Sequence, residues 1–246
     1  MRFSRKSMTN ATEQAEANHE ARPDAGALLL VDKPAGWTSF DVVKKIRSLL
    51  HVKKAGHAGT LDPLATGLLI VCTGKMTRDL ARHAAADKEY EVSLLLGSRT
   101  ASGDAETPVI ETRSLDGITA GHVEHAIQSF IGPQRQIPPM WSALKVKGKR
   151  LYKYAKEGLT VERAPRDVLI HAITIRKIEL PLVELTVSCS KGTYIRTLVD
   201  DLGKALGCGA YVTSLRRTRI DHWHVADAMT MADLERRANQ SMSPVL

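Results

Sequence analysis

The chain reads as a mixed fold of strands and helices, on three patterns. Tyr90, Val92, Leu94 and Leu96 fall on one face of a strand, and residues 182–188 alternate in the same way. Val42, Val43, Ile46, Leu49 and Leu50 recur at helical spacing, as do Ile195, Leu198, Val199, Leu202 and Leu206. Leu68–Val71 is a short apolar run bounded by turn residues, the mark of a buried strand.

Each element carries its own start and stop. Leu28–Val31 is a short apolar strand, and Lys33-Pro34-Ala35-Gly36 after it is a turn. Thr38 or Ser39 can cap the helix that follows, which runs to about Leu50. Lys44, Lys45, Arg47, Lys53 and Lys54 lie on or just after it, as a phosphate-facing stripe or as its solvated side. Residues 121–130 carry a weaker helical pattern. Thr193 suits the N-cap of the helix at 195–206, and Gly207 suits its stop.

Composition narrows the function. The chain has 246 residues, 43% hydrophobic and 25% charged, as an ordinary globular protein does. A formal charge of +8 favours a polyanionic partner. Three cysteines without a CxxC pair argue against a disulfide framework and a zinc site. The pairs His122/His125 and His222/His224 lack further ligands, so no metal is expected. Nothing in the sequence is apolar for long enough to span a membrane. Residues 1–26 mix Lys and Arg with Glu13, Glu16, Glu20 and Asp24 and lack an apolar core, so a disordered tail and a cytoplasmic location are expected.

Three places suggest chemistry. Asp62 stands in the Gly- and Pro-punctuated loop Gly56–Gly67, directly before the strand at 68–71. Pro63 pushes it into an extended conformation, so a carboxylate is held on a stiff connection. Arg196 falls in the first turn of its helix, where the dipole disfavours a cation by roughly 0.3–1 kcal/mol. Unless it points to water, it needs an anion there: a carboxylate or a phosphate. Residues 144–156 interleave Lys145, Lys147, Lys149, Arg150, Lys153 and Lys156 with Tyr152 and Tyr154, after Trp141. Cations for phosphates and flat rings for bases suit a nucleic-acid surface, and Gly148 suggests a loop there. No P-loop, nucleophile elbow or dinucleotide fingerprint is present.

The ordered motifs carry a family resemblance. Gly56–Gly67 resembles the catalytic segment of the bacterial tRNA pseudouridine synthases of the TruB type, which modify the T-loop uridine at tRNA position 55. Leu30–Ser39 is similar to the family's entry segment, and Lys88-Glu89-Tyr90 to its tyrosine strand. Ile137–Tyr152 is similar to its RNA-binding insertion, Ser190–Thr197 to its arginine motif, and Leu215-Arg216-Arg217 to its final signature. The resemblance implies an α+β pseudouridine synthase fold, with a mixed, largely antiparallel central sheet flanked by helices and a central active-site cleft. It implies a disordered tail over 1–26, a catalytic domain over 27–230 with the insertion at about 137–166, and a short tail over 231–246 in place of a PUA domain.

By the same resemblance Asp62 is the catalytic aspartate, Arg196 its ion-pair partner, and Tyr90 the ring that stacks on the target base. His57 enters the RNA where the base has left, Leu215 closes an apolar pocket, Tyr194 supports it, and Lys33 lies in the floor. Lys145, Lys149, Arg150 and Tyr152 bind RNA. The reaction implied is an isomerisation, so no cofactor, metal or guide RNA is expected, and the protein is expected to be a monomer gripping the tRNA T-arm. The guanidinium is expected to lower the pKa of Asp62 and keep it ionised. Ala101 stands where the family usually has an aspartate, while Asp104 matches the second acid of that loop. Two other readings stand beside it: an RNA-binding or tRNA-folding module without catalysis, which the basic surface suits equally but which would not require Asp62, Tyr90 and Arg196 together, and a glycoside hydrolase on nucleosides. The second needs two opposed carboxylates, and the sequence places no acid opposite Asp62.

Overall fold

A computed structural model describes residues 26–241, so the expected tail over 1–26 falls, but for Gly26, outside the described residues. In chain order the strands are β1 (Leu28–Lys33), β2 (Ala55–Ala58), β3 (Thr66–Thr73), β4 (Lys88–Leu96), β5 (Ser98–Thr100), β6 (Val109–Thr112) and β7 (Gly132–Gln136). There follow β8 (Lys145–Val146), β9 (Lys149–Arg150), β10 (Arg166–Glu179), β11 (Leu182–Cys189), β12 (Ala210–Ile220), β13 (Trp223–His224) and β14 (Met229–Thr230). The helices are α1 (Ser39–Leu49), α2 (Leu80–Ala85), α3 (Ala120–Gln128), α4 (Leu151–Lys156), α5 (Ile195–Ala205) and α6 (Met231–Ser241).

One sheet organises the molecule, in the order β14-β1-β3-β12-β4-β11-β10-β7, with β2 beside β3 and β13 beside β12. The pairings are antiparallel except β1 with β14 and β3 with β12. This is the α+β, mixed and largely antiparallel architecture expected. The decisive strand is β12, the last long one in sequence, which lies between β3 and β4 and joins the two halves. Its contact with β3 is brief: Arg216 and Arg217 face Thr66 and Gly67. Gly67 has φ +97°, and a Cβ there would sit 2.3 Å from the Arg217 carbonyl oxygen, so only glycine lets the strands meet.

The cores follow from the patterns. On β4 burial alternates strictly, and Val92, Leu94 and Leu96 pack with Val183, Leu185, Val187, Val212 and the buried stripe of α5. Val42, Val43 and Ile46 of α1 pack on Val31, Leu69 and Val71. Met231 and Leu234 of α6 join that cluster, so part of the segment expected as a C-terminal tail is a docked helix. Thr38 caps α1 through a full capping box with Asp41.

One local expectation is corrected and another is made specific. The N-cap of α5 is Tyr194, not Thr193, whose hydroxyl donates instead to the Ser190 carbonyl at 2.9 Å. The buried Gln136 side chain meets the Tyr194 backbone from β7, accepting its N–H at 2.9 Å and donating to its carbonyl at 3.2 Å. The stretch around Gly148 is a hairpin of β8 and β9 followed by α4, with Lys147 and Gly148 both at positive φ in the turn. Gly67→Ala should therefore lower unfolding stability by about 3 kcal/mol or more, read as the shift of a urea transition against wild type, because it adds both strain and a backbone clash.

Candidate active site

The loop from Gly59 to Ala65 leaves β2 and enters β3, and its backbone is clipped from several sides. The Ser39 hydroxyl, buried at the start of α1, accepts the Leu61 N–H at 2.9 Å and donates to the Leu61 carbonyl at 3.2 Å. The Pro63 carbonyl accepts from the Gly36 N–H at 2.9 Å and from Lys33 Nζ at 3.2 Å. Glu106 Oε1 accepts the Leu64 N–H at 2.6 Å. Asp62 stands between these clips. Its side chain is about a third exposed, toward a cavity of about 330 Å³, at the small end of ligand-sized pockets.

Arg196 meets that carboxylate. Its Nη2 lies 2.9 Å from Asp62 Oδ1, and its Nε lies 3.5 Å from Asp104 Oδ2, a charge contact without hydrogen-bond geometry. Nη1 donates to the Ser102 carbonyl at 2.7 Å and Nη2 to the Trp141 carbonyl at 2.8 Å. The first-turn arginine thus finds its anion: two carboxylates, not one. Asp104 is 1% exposed and also accepts from the Ser102 hydroxyl and the Glu106 N–H.

Burial, with the second carboxylate adding to it, corrects the expectation for Asp62. Burial pushes its carboxyl above the ordinary value, Arg196 opposes that, and the like charge of Asp104 pushes the same way as burial. One guanidinium shared by two acids does not offset removal from water, so Asp62 holds its proton more tightly than a free carboxylate.

Tyr90, Tyr194, Leu215 and Arg196 line the same cavity as Asp62. Tyr90 and Leu215 are nearly buried, and burial raises both tyrosine phenols above their ordinary value. Lys33 lies beneath the loop, fully buried, with Nζ on the carbonyls of Pro34, Trp37 and Pro63 at 2.9, 2.5 and 3.2 Å. Burial drives its pKa down to about 8. His57 is on β2, opposite Val71 and outside the cavity lining, with its basicity lowered by burial and by Arg217. The basic segment is also outside. Lys145 and Arg150 are exposed on the hairpin, Tyr152 is half-buried on α4, and Lys149 is bound to Glu157 at 2.5 and 2.6 Å and sits 4.5 Å over the Tyr154 ring. Its connection to the site is the stretch Trp141–Leu144, which forms one lip of the cavity and anchors Arg196.

Four residues escaped the sequence reading. Ser39 appeared only as a cap and as the end of a motif, Glu106 not at all, and Lys88 and Arg217 only as members of motifs. Lys88 lines the cavity with its Nζ on the carbonyls of His83, Ala84 and Ala86 at the end of α2, and burial drives its pKa to about 8. Arg217 is 1% exposed and lines the cavity beside Tyr90, its partner across β4 and β12.

Known proteins give this geometry its context. The profile described as TruB family pseudouridylate synthase, N-terminal domain, matches residues 47–195. The chain belongs to the TruB family. A second profile, the tRNA pseudouridylate synthase B C-terminal domain, matches 196–243. Its boundary with the first falls within the first turn of α5, although strands from both sides share one sheet. The tRNA pseudouridine synthase B of Coxiella burnetii (strain Dugway 5J108-111) is 48% identical over 220 residues, 89% of this chain and 71% of that protein. That of Ralstonia pickettii (strain 12J) is 47% identical, covering 92% of this chain and 72% of the relative. Among solved structures, a chain of a Cbf5-Nop10-Gar1 complex superposes with a TM-score of 0.68 and 29% identity, over 91% of this chain and 58% of that one. A chain of an H/ACA RNP bound to a substrate RNA containing 2'-deoxyuridine gives 0.64 and 28%, over 85% and 52%. This TruB-family chain therefore spans a little over half of those chains.

The two buried lysines fix a stability signature. Each has a folded pKa of about 8 against 10.5 for the free side chain. Between those values the unfolded chain carries protons that the folded one has released, so stability rises with pH across that window. Replacing Lys88 by Met should flatten the rise between pH 8 and 10, read as the difference between urea midpoints of variant and wild type at each pH.

Proposed function

We propose that this protein converts uridine 55 in the T-loop of tRNA to pseudouridine, with Asp62 as the ionised carboxylate that acts on a flipped-out nucleotide. The observation that carries the reading is the Asp62–Arg196 pair at 2.9 Å on the wall of a cavity whose other faces include Tyr90 and Leu215. A target base cannot be reached while it is stacked, so it must leave the loop and enter such a cavity. An aromatic ring and an apolar side chain are what hold a flat base once there. The name shared by its relatives, tRNA pseudouridine synthase B, agrees with that site.

The bookkeeping is that of an isomerisation. The N1–C1′ bond breaks, the ring turns, C5 bonds to C1′, C5 loses its proton and N1 gains one. Tyr90 stacks on the ring, Leu215 closes over it, and Tyr194 supports the wall. His57, on the strand that leads into the catalytic loop, enters the space the base vacates. Lys33 holds the loop from below. Lys145, Arg150 and Tyr152, with Lys149 beside them, bind the RNA outside the cavity, where exposed cations bind phosphates at a strength that salt reduces. The substrate is gripped by its T-arm, by a monomer in the cytoplasm and without a guide RNA. No helix among the described residues is long and apolar enough to cross a membrane.

The test is release of tritium from C5 of uridine in an unmodified tRNA transcript, with the product mapped to the T-loop. Asp62→Asn should lose at least about a thousandfold in rate while binding tRNA within a few-fold of wild type; full activity in that variant removes Asp62 as the catalytic group. The pH profile follows from the site. Only the carboxylate form reacts, and its pKa is raised, so the rate falls with decreasing pH at a point above the ordinary value of about 3.9. Asp104→Asn removes a neighbouring like charge and should move that limb downward in single-turnover rates; an unmoved limb would separate Asp104 from the titration of Asp62.

A further inference from the structure

Four cations are buried among the described residues: Lys33, Lys88, Arg196 and Arg217. A buried charge is tolerated when it is paired or its donors are all engaged. Arg196 has two carboxylates. Lys33 and Lys88 each place Nζ on three carbonyl oxygens, which uses all three protons of an ammonium group. Both also release a proton near pH 8.

Arg217 differs on each count. It forms no ion pair with any carboxylate of the described residues, and a guanidinium does not lose its charge. Nε donates to the Leu68 carbonyl at 2.7 Å and Nη2 to the Gly59 carbonyl at 3.1 Å. Five N–H donors are available, so these bonds leave several for the cavity and for the Tyr90 phenol beside it. Its charge also depresses the basicity of Lys33, His57 and Lys88, so the positive field is felt across the floor of the site.

The reaction supplies an anion that such a group fits. When the N1–C1′ bond breaks, the electron pair leaves with the ring and spreads from N1 onto O2 and O4. If a carboxylate first adds at C6, the ring becomes an enolate with its charge on O4. If a ribose proton is removed first, the ring again departs as an anion. All three routes place negative charge on the uracil oxygens. A phosphodiester is the other candidate, but it stays with the RNA backbone toward the mouth, whereas a flipped base goes deepest. Arg217 is 1% exposed, two residues along β12 from Leu215 and directly opposite Tyr90, on the walls read as holding the base.

Resting on the isomerase reading above, we propose that Arg217 is a further catalytic residue, whose guanidinium hydrogen-bonds the uracil ring and stabilises the negative charge that develops on its oxygens. The bond that breaks is N1–C1′, its electron pair is held on the ring against Arg217, and the same pair is later used by C5 to bond C1′. The C5 proton then leaves and N1 is protonated, so no further reactant is needed. Preorganised donors in a dry site contribute most where charge develops.

The experiment compares wild type, Arg217→Gln and Arg217→Lys on tRNA carrying either uridine or 5-fluorouridine at the target. Single-turnover loss of the nucleoside is followed by chromatography after digestion, with tRNA affinity and thermal melting of each protein recorded alongside. Fluorine lets the ring carry negative charge more readily, so it lessens the need for the guanidinium. Arg217→Gln should be slower by about a hundredfold or more on uridine, with affinity within about threefold of wild type. That deficit should shrink by about tenfold on 5-fluorouridine, and Arg217→Lys, which keeps the charge, should recover at least tenfold on uridine. Equal deficits on the two substrates, a loss confined to affinity, or a lysine variant as slow as glutamine would each overturn the assignment. Should Arg217→Gln melt below the assay temperature, Arg217→Lys decides alone, because its remaining deficit must shrink on 5-fluorouridine. Failure of wild type on uridine-containing tRNA would instead remove the isomerase reading itself.

Discussion

The site depends on one guanidinium held between two carboxylates. Arg196 comes from the first turn of α5, Asp62 from the loop before β3, and Asp104 from the loop after β5. Taking Arg196 and Asp104 out of water, and Asp62 in part, costs several kcal/mol per buried ion, and their mutual attraction returns only part of it. The arrangement is therefore poor evidence for stability and good evidence for function. Its product is a carboxylate that faces a cavity, fixed in direction, with its proton affinity set by the balance of burial, Arg196 and Asp104.

That balance survives only if the backbone around it does not relax. The loop bearing Asp62 is held by Ser39 through Leu61, by Gly36 and Lys33 through Pro63, and by Glu106 through Leu64. These clips come from different parts of the chain and act on backbone atoms, leaving the Asp62 side chain free to face the cavity. The opposite wall is fixed by β12, which meets β3 only at Thr66 and Gly67 before the two diverge. The close approach at Gly67 requires glycine. A stiff scaffold of this kind places a reacting group within a fraction of an ångström, which is worth more to a rate than any single contact is to stability.

The patterns that could be read from the sequence are those carried by neighbours along the chain. The alternation of Tyr90, Val92, Leu94 and Leu96 and the stripe on α5 are local, and both are buried as expected. The misplaced N-cap shows the limit. Thr193 is a good capping residue, but Gln136 from β7 already satisfies the Tyr194 backbone, and no local rule announces a partner that distant. The expected pKa of Asp62 failed first because burial, which only the assembled fold sets, outweighs Arg196, and then because a second acid joins the pair. Arg196 was legible as a cation in need of an anion, whereas Asp104, brought under it by the turn after β5, was legible only as a loop acid. Arg217 was legible only as a member of the motif Leu215-Arg216-Arg217, because nothing in Arg216-Arg217 tells which points outward. The strand decides: Arg216 binds Asp32 at 2.7 and 3.0 Å near the surface, and Arg217 faces inward.

The positive charge of the chain thus divides into two kinds that composition cannot separate. Lys145, Arg150 and, on α1, Lys44 and Arg47 are exposed and screened, so they act on a polyanion through its phosphates and lose strength as salt rises. Lys33, Lys88, Arg196 and Arg217 are shielded from solvent ions and act over a few ångströms on the loop, on Asp62 and on whatever occupies the cavity. Raising salt should weaken the first kind without touching the second. On the proposed reading, such an enzyme separates finding its substrate from transforming it: the exposed cations govern encounter, and the buried ones govern the chemistry once the base has flipped out of its stack. The division also explains why the interior cations are so differently satisfied. Three are consumed by the protein's own carbonyls and carboxylates, which fixes the architecture, and the fourth keeps donors in reserve at the one place where the reaction generates charge.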